Sequence, residues 1–181
     1  LTVVAKASYV LTAKNCDVVL TTEGTGDAGQ GYQPSFNVHG CILGMVTPQT
    51  YLTTLGAVDS EISNGSIVVG SAALDGCSIG SAMTVGGTLS MKNCTLSADI
   101  AHYSVTRPAK VDMLNNVLNA RYNLSAANPN TIVKAVWSGN YSSVSSPIVI
   151  DRTNLDPVDR HHDYVYDGNS GGFLPYSVST G

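Results

Sequence analysis

An eight-residue phrase recurs along the chain and limits its possible folds more than any other feature. Leu11-Thr12-Ala13-Lys14-Asn15-Cys16-Asp17-Val18 returns as Leu89-Ser90-Met91-Lys92-Asn93-Cys94-Thr95-Leu96. It returns again as Phe36-Asn37-Val38-His39-Gly40-Cys41-Ile42-Leu43 and as Ala72-Ala73-Leu74-Asp75-Gly76-Cys77-Ser78-Ile79. A cysteine-free copy is Val111-Asp112-Met113-Leu114-Asn115-Asn116-Val117-Leu118, and weaker copies surround Gly65 and Asn140. All four cysteines fall on the sixth place of the phrase. The markers Cys16, Cys41, Gly65, Cys77, Cys94, Asn116 and Asn140 are separated by 25, 24, 12, 17, 22 and 24 residues. Periods of this length are the mark of solenoids and arrays.

Within each copy apolar and polar residues alternate, which is the period of a strand and not of a helix. An Asn or Gly then follows, a residue type that enters the left-handed backbone region at little cost. Strand, corner and strand again predict an all-β fold, a right-handed single-stranded parallel β-helix over residues 1–150, with 151–181 as a short irregular tail that caps or assembles. Rungs stacked at roughly 4.8 Å place like residues in ladders. One ladder is Cys16, Cys41, Cys77 and Cys94; a second is Val18, Leu43, Ile79, Leu96 and Leu118. Asn15, Asn93 and Asn115 line the corner, where their amides are expected to hydrogen-bond from rung to rung. The short intervals beside Gly65 mean either a spurious copy or an irregular rung. Loops are expected at Glu23–Pro34, Met45–Ala57, Asp99–Ala109 and Tyr122–Asn130. The competing architecture is a jelly-roll β-sandwich, which predicts alternation and turns but no recurring cysteine phrase.

Cysteines at equivalent places of stacked rungs point the same way, so their Cβ atoms are not turned towards each other as a disulfide requires. Free, buried thiols are the expectation. Charged residues are only 12% of the chain and the net charge is −4, which gives no electrostatic basis for binding nucleic acid. No apolar run is long enough to span a membrane. The chain starts at Leu1, as expected of a processed product or a piece of a longer protein.

Several motifs lose their chemistry on inspection. Gly24-Thr25-Gly26-Asp27-Ala28-Gly29 has dinucleotide-loop spacing, but Gln30-Gly31-Tyr32-Gln33-Pro34 cannot open the helix that would hold a pyrophosphate. Gly168-Asn169-Ser170-Gly171-Gly172 looks like a serine-nucleophile motif, with His39 and Asp99 as its nominal partners, yet only nine residues follow Gly172. His161, His162, Asp163 and Asp167 have no metal-ligand spacing, and adjacent histidines on an extended chain face opposite ways. The acids Asp59, Glu61, Asp99 and Asp112 form no carboxylate ladder of the kind a glycosidase needs. No cofactor or metal site is expected. Trp137, Tyr141, Tyr103 and Tyr122 lie in or beside the later loops, where aromatic faces could stack on sugar rings.

The Asn-corner phrase, with low charge and abundant Ser, Thr and Gly, resembles the pectin-lyase-like parallel β-helix group, and within it bacteriophage tailspikes and fibres, over roughly residues 8–145. The resemblance implies a homotrimer at a virion surface or outside the cell, in contact with other virion proteins and with bacterial surface polysaccharide. It implies a structural, attachment or capsid-decoration role without catalysis. A polysaccharide-degrading fragment and a secreted bacterial adhesin are the alternatives.

Overall fold

The computed structural model describes residues 2–5, 10–22, 34–45, 50–102, 109–123, 132–145, 147–149 and 163–172. They form a parallel β-solenoid, with every strand pair parallel and no helix among the described residues. The coil has three faces. The first carries β2 (Val10–Lys14), β4 (Ser35–His39), the second halves of β6 (Thr50–Val58) and β8 (Ser66–Asp75), β11 (Leu89–Lys92), β14 (Ala109–Leu114), β17 (Ile132–Ser138) and β20 (Asp163–Asp167). The second carries β1 (Thr2–Ala5), β3 (Asp17–Thr22), β5 (Ile42–Met45), β7 (Glu61–Ser63), β9 (Ser78–Ile79), β12 (Thr95–Leu96), β15 (Val117–Leu118), β18 (Tyr141–Ser142) and β21 (Ser170–Gly171). The third carries the first halves of β6 and β8, then β10 (Ala82–Val85), β13 (Ile100–His102), β16 (Tyr122–Asn123) and β19 (Ile148–Val149).

The period-2 alternation read from the sequence sorts residues onto these faces. The aliphatic ladder runs Val18, Leu43, Ile62, Ile79, Leu96 and Leu118, all fully buried. Facing it are Ala13, Val38, Ala57, Leu74, Met91, Met113 and Trp137, one above another. Each buried Leu or Ile contributes about 1.5–3 kcal/mol. A one-residue slip of any strand would turn these side chains out to water, so the hydrophobic pattern fixes the register.

The bend between the first and second faces is the repeated corner. Its residues are Asn15, Gly40, Asp59, Gly76, Asn93, Asn115, Gly139 and Gly168, each with φ between 48° and 65°. Only Gly, Asn and Asp occur there: a Cβ crowds the following carbonyl oxygen in this left-handed conformation, Gly has none, and Asn and Asp offset the cost with local side-chain hydrogen bonds. Asn15, Asn93 and Asn115 are therefore corner residues as expected, but their amides do not form a continuous ladder. They are exposed, and Gly40, Asp59 and Gly76 intervene between Asn15 and Asn93. Asn93 donates instead to Asp75 Oδ1 at 3.0 Å.

The next residue of each corner points inward and gives the ladder Cys16, Cys41, Ser60, Cys77, Cys94, Asn116, Asn140 and Asn169. Its intervals are 25, 19, 17, 17, 22, 24 and 29 residues. Ser60, not Gly65, is the rung between Cys41 and Cys77, so the Gly65 copy is spurious. The phrase around Ser60, Leu55-Gly56-Ala57-Val58-Asp59-Ser60-Glu61-Ile62, begins inside a segment expected to be a loop, Met45–Ala57; Thr50–Val58 is a strand. The phrase also continues beyond Ile150. Lys134–Ser138 pairs with Asp163–Asp167, and Tyr141–Ser142 pairs with Ser170–Gly171, so part of the expected tail is a further rung.

Candidate functional site

The inward ladder repairs the backbone at the bend. Turning the chain leaves one amide and one carbonyl per rung without a strand partner, and burial makes that costly. In the thiol and hydroxyl rungs the side chain donates to the carbonyl two residues back: Cys41 to His39 O (3.3 Å), Ser60 to Val58 O (2.8 Å), Cys77 to Asp75 O (3.4 Å) and Cys94 to Lys92 O (3.0 Å). The same side chain accepts from the amide of the preceding rung, as in Cys41 N–H to Ser60 Oγ at 3.1 Å and Cys77 N–H to Cys94 Sγ at 3.4 Å.

From Cys94 onward asparagine takes over with a wider reach. Cys94 N–H donates to Asn116 Oδ1, Asn116 N–H to Asn140 Oδ1 and Asn140 N–H to Asn169 Oδ1, each at 2.9 Å. The Nδ2 groups donate to Met91 O (3.0 Å), Met113 O (2.8 Å) and Trp137 O (2.7 Å). The cysteines are free, as the sequence reading expected; Cys41, Cys77 and Cys94 are buried and Cys16 is partly exposed. The ladder is thus a structural spine that satisfies the backbone at every bend.

The outside of the first face offers a contact surface. Thr12, Asn37, Gly56 and Ala73 are stacked in one outward row, and Lys14, His39, Val58 and Asp75 in the next. Because Gly56 and Ala73 are short, the rows leave a shallow depression of about 390 Å³ lined by Thr12, Lys14, Asn37, His39, Gly56, Val58 and Ala73. The Asn37 carboxamide lies across Gly56, where a Cβ would come within 2.6 Å of its Oδ1. At the rim His39 Nε2 sits 3.6 Å from Asp59 Oδ2, with side chains 49% and 70% exposed. The Cys41 thiol, two residues further on, is buried in the coil and donates to the His39 backbone carbonyl. Among the described residues no group of three or more His, Cys, Asp and Glu could hold a metal ion. No helix among them is long and apolar enough to cross a membrane.

Of the aromatic residues expected to hold a glycan, the three that are described do not share a surface. Trp137 is 1% exposed and Tyr122 fully buried, so their rings fill the coil and offer no face to a sugar. This corrects the expectation for both: each falls on an inward place of its strand. Tyr141 is on the outer side of the second face, 49% exposed, beside Val117 and against Gly171 of the next rung. Tyr103 lies outside the described residues, as do His161 and His162. Asp167 is exposed at the last corner.

One buried polar pair had no sequence signal. His102 lies in the inward column of Leu52, Val69 and Val85, and is fully buried. Its Nε2 lies 2.8 Å from Gly87 O and its Nδ1 2.6 Å from the Tyr122 hydroxyl, with the rings edge to face. A carbonyl can only accept, so Nε2 carries the proton and Nδ1 accepts from Tyr122. Burial pushes the His102 pKa down, with the Gly87 carbonyl opposing in part. The unfolded chain then binds a proton below about pH 6.5 that the folded chain refuses. Stability is complete above that value and falls as pH falls, with a limiting slope of about 1.4 kcal/mol per pH unit. Urea midpoints between pH 7.5 and 5.5 are expected to drop more in the parent than in His102→Gln.

No protein-family model matches the chain, and neither the curated proteins nor the solved structures contain a match to it.

Proposed function

We propose that this protein is a non-catalytic structural or attachment element of a virion surface, working through the outer faces of its coil. The observation that carries the reading is the shallow depression on the first face, built from Thr12, Asn37, Gly56 and Ala73 with Lys14 and His39 at its edge. Open, shallow and floored by short side chains, it suits an extended polymer or a neighbouring subunit lying along the face better than a substrate enclosed for reaction. Its Asn, Thr, Lys and His groups are hydrogen-bonding partners for the hydroxyls and acids of a bacterial surface polysaccharide. The regular rungs support a stiff rod, and a homotrimer is the assembly this reading expects.

The test uses the full chain, sedimentation for its mass and a panel of capsular polysaccharides for binding. The expected outcome is a trimer that retains at least one polysaccharide without releasing reducing ends. Ala73→Arg fills the depression from an exposed outward position and is expected to weaken that binding at least tenfold with the fold unchanged. Release of reducing ends would replace this reading with a degrading enzyme, and a monomer that binds no polysaccharide would overturn it.

A further inference from the structure

The inward ladder places its cysteines in adjacent pairs, Cys16 with Cys41 and Cys77 with Cys94, and Ser60 separates the two pairs. At the second pair the strands on both sides hold the corner in strict register: Asp75 opposes Lys92 and Ser78 opposes Thr95. Cys94 therefore lies one rung directly over Cys77. Two thiols related by a parallel step of roughly 4.8 Å are poorly placed for a disulfide, whose sulfurs are about 2.05 Å apart. The same step matches a different geometry. On the scale of the zinc–thiolate bond, about 2.3 Å, two metal–sulfur bonds set in line span roughly 4.6 Å.

We propose that Cys77 and Cys94 form a two-coordinate site for a soft univalent cation, Cu(I), held between two rungs of the coil. Thiolate ligands select Cu(I) over the hard cations. The donor set agrees: two sulfurs, with no group of three or more His, Cys, Asp and Glu among the described residues, suit a metal that accepts linear coordination better than tetrahedral Zn(II). Binding breaks both S–H bonds, forms two S–Cu bonds and releases two protons to water; copper stays univalent and no electron is transferred. The hydrogen bonds from sulfur to Asp75 O and Lys92 O are given up, while the Cys77 N–H, 3.4 Å from Cys94 Sγ, remains as a donor to the bound sulfur.

The residues at this pair are 2% and 1% exposed, so the cation enters by transient opening of the corner and the test reads equilibrium occupancy. A chain carrying C16S and C41S retains Cys77 and Cys94 alone, and Ser60 already occupies the same ladder place with its hydroxyl bonded to Val58 O. Reduced and anaerobic, this chain is titrated with Cu(I) against a chromophoric Cu(I) chelator. One Cu(I) per chain is expected, with two sulfur neighbours in X-ray absorption, and none once C94S is added. In the unaltered chain, bound Cu(I) is expected to slow alkylation of Cys77 and Cys94 at least tenfold, a reading that needs no substitution. Failure to take Cu(I) from the chelator, equal uptake with C94S, or three sulfur neighbours would overturn the proposal.

Discussion

Asn140→Ala is expected to cost about 4 kcal/mol, because it leaves buried polar groups without partners at about 1–3 kcal/mol each. The Asn140 Oδ1 accepts from both the backbone N–H and the Nδ2 of Asn116, and its Nδ2 donates to Met113 O and Asn169 Oδ1. Removing the carboxamide strands the Asn116 amide and the Met113 carbonyl, both inside the coil. Asn140→Asp adds a second diagnostic. The aspartate can still accept from Asn116, but its other oxygen then faces the Met113 carbonyl, which only a protonated acid could satisfy. Its folded pKa is therefore raised: stability is present below the unfolded value near 3.9 and is lost as pH rises through the folded one. Asn119→Ala is the control, since Asn119 is exposed and bonded to the exposed Ser143 hydroxyl; it is expected to change stability by less than about 0.5 kcal/mol. Equal urea midpoints for N140A and N119A would show that the asparagine rungs are not what closes the bend.

How much of the architecture is legible in the sequence depends on which residues carry redundant signals. The cysteine phrase was legible because three signals coincide in it: alternation, a left-handed corner and one distinctive side chain. Where the side chain changes, the phrase disappears from view although its physics persists. Leu55-Gly56-Ala57-Val58-Asp59-Ser60-Glu61-Ile62 keeps the alternation, puts Asp at the left-handed position and a hydroxyl at the inward one. A search for Asn or Gly followed by Cys passes over it, and its two glycine-or-alanine places read as loop. Gly168-Asn169 repeats Gly139-Asn140 and performs the same bonding, yet the serine that follows draws attention to nucleophile chemistry instead.

The aromatic residues failed for a different reason. Trp137 and Tyr122 occupy inward places of their strands, and amphipathic rings fill a coil as readily as they decorate it. The inward-outward parity of a two-residue strand such as Tyr122–Asn123 is not recoverable from alternation. The depression on the first face was invisible for a related reason. It is made by how little side chain Gly56 and Ala73 carry, and it exists only once distant rungs are stacked in register.

Glycine substitutions are expected to separate two kinds of close approach, and Gly70→Ala is the costly one. A Cβ on Gly70 would lie 2.6 Å from the carbonyl oxygen of Thr53, and one on Gly87 would meet the carbonyl of Gly70 at the same 2.6 Å. These residues stack at the bend between the third and first faces, where the obstacle is backbone fixed by parallel pairing on both sides. Neither rung can move without stretching its ladder, so G70A is expected to cost about 3 kcal/mol, the upper range for overpacking. Gly56→Ala meets an obstacle at the same distance, but it is the end of the exposed Asn37 side chain, which can swing into solvent. Its cost is expected to stay below about 1 kcal/mol, offset in part by the lower chain entropy of alanine. Gly44→Ala meets nothing closer than Ser63 O at 3.9 Å and sits within β5. Ordinary contact and a reduced unfolded-state entropy make it stabilising by about 0.5 kcal/mol. Urea midpoints are expected in the order G44A, parent, G56A, G70A. A G70A chain as stable as G56A would mean that the bend yields, and that the stacked rungs are held by side-chain packing and not by backbone register.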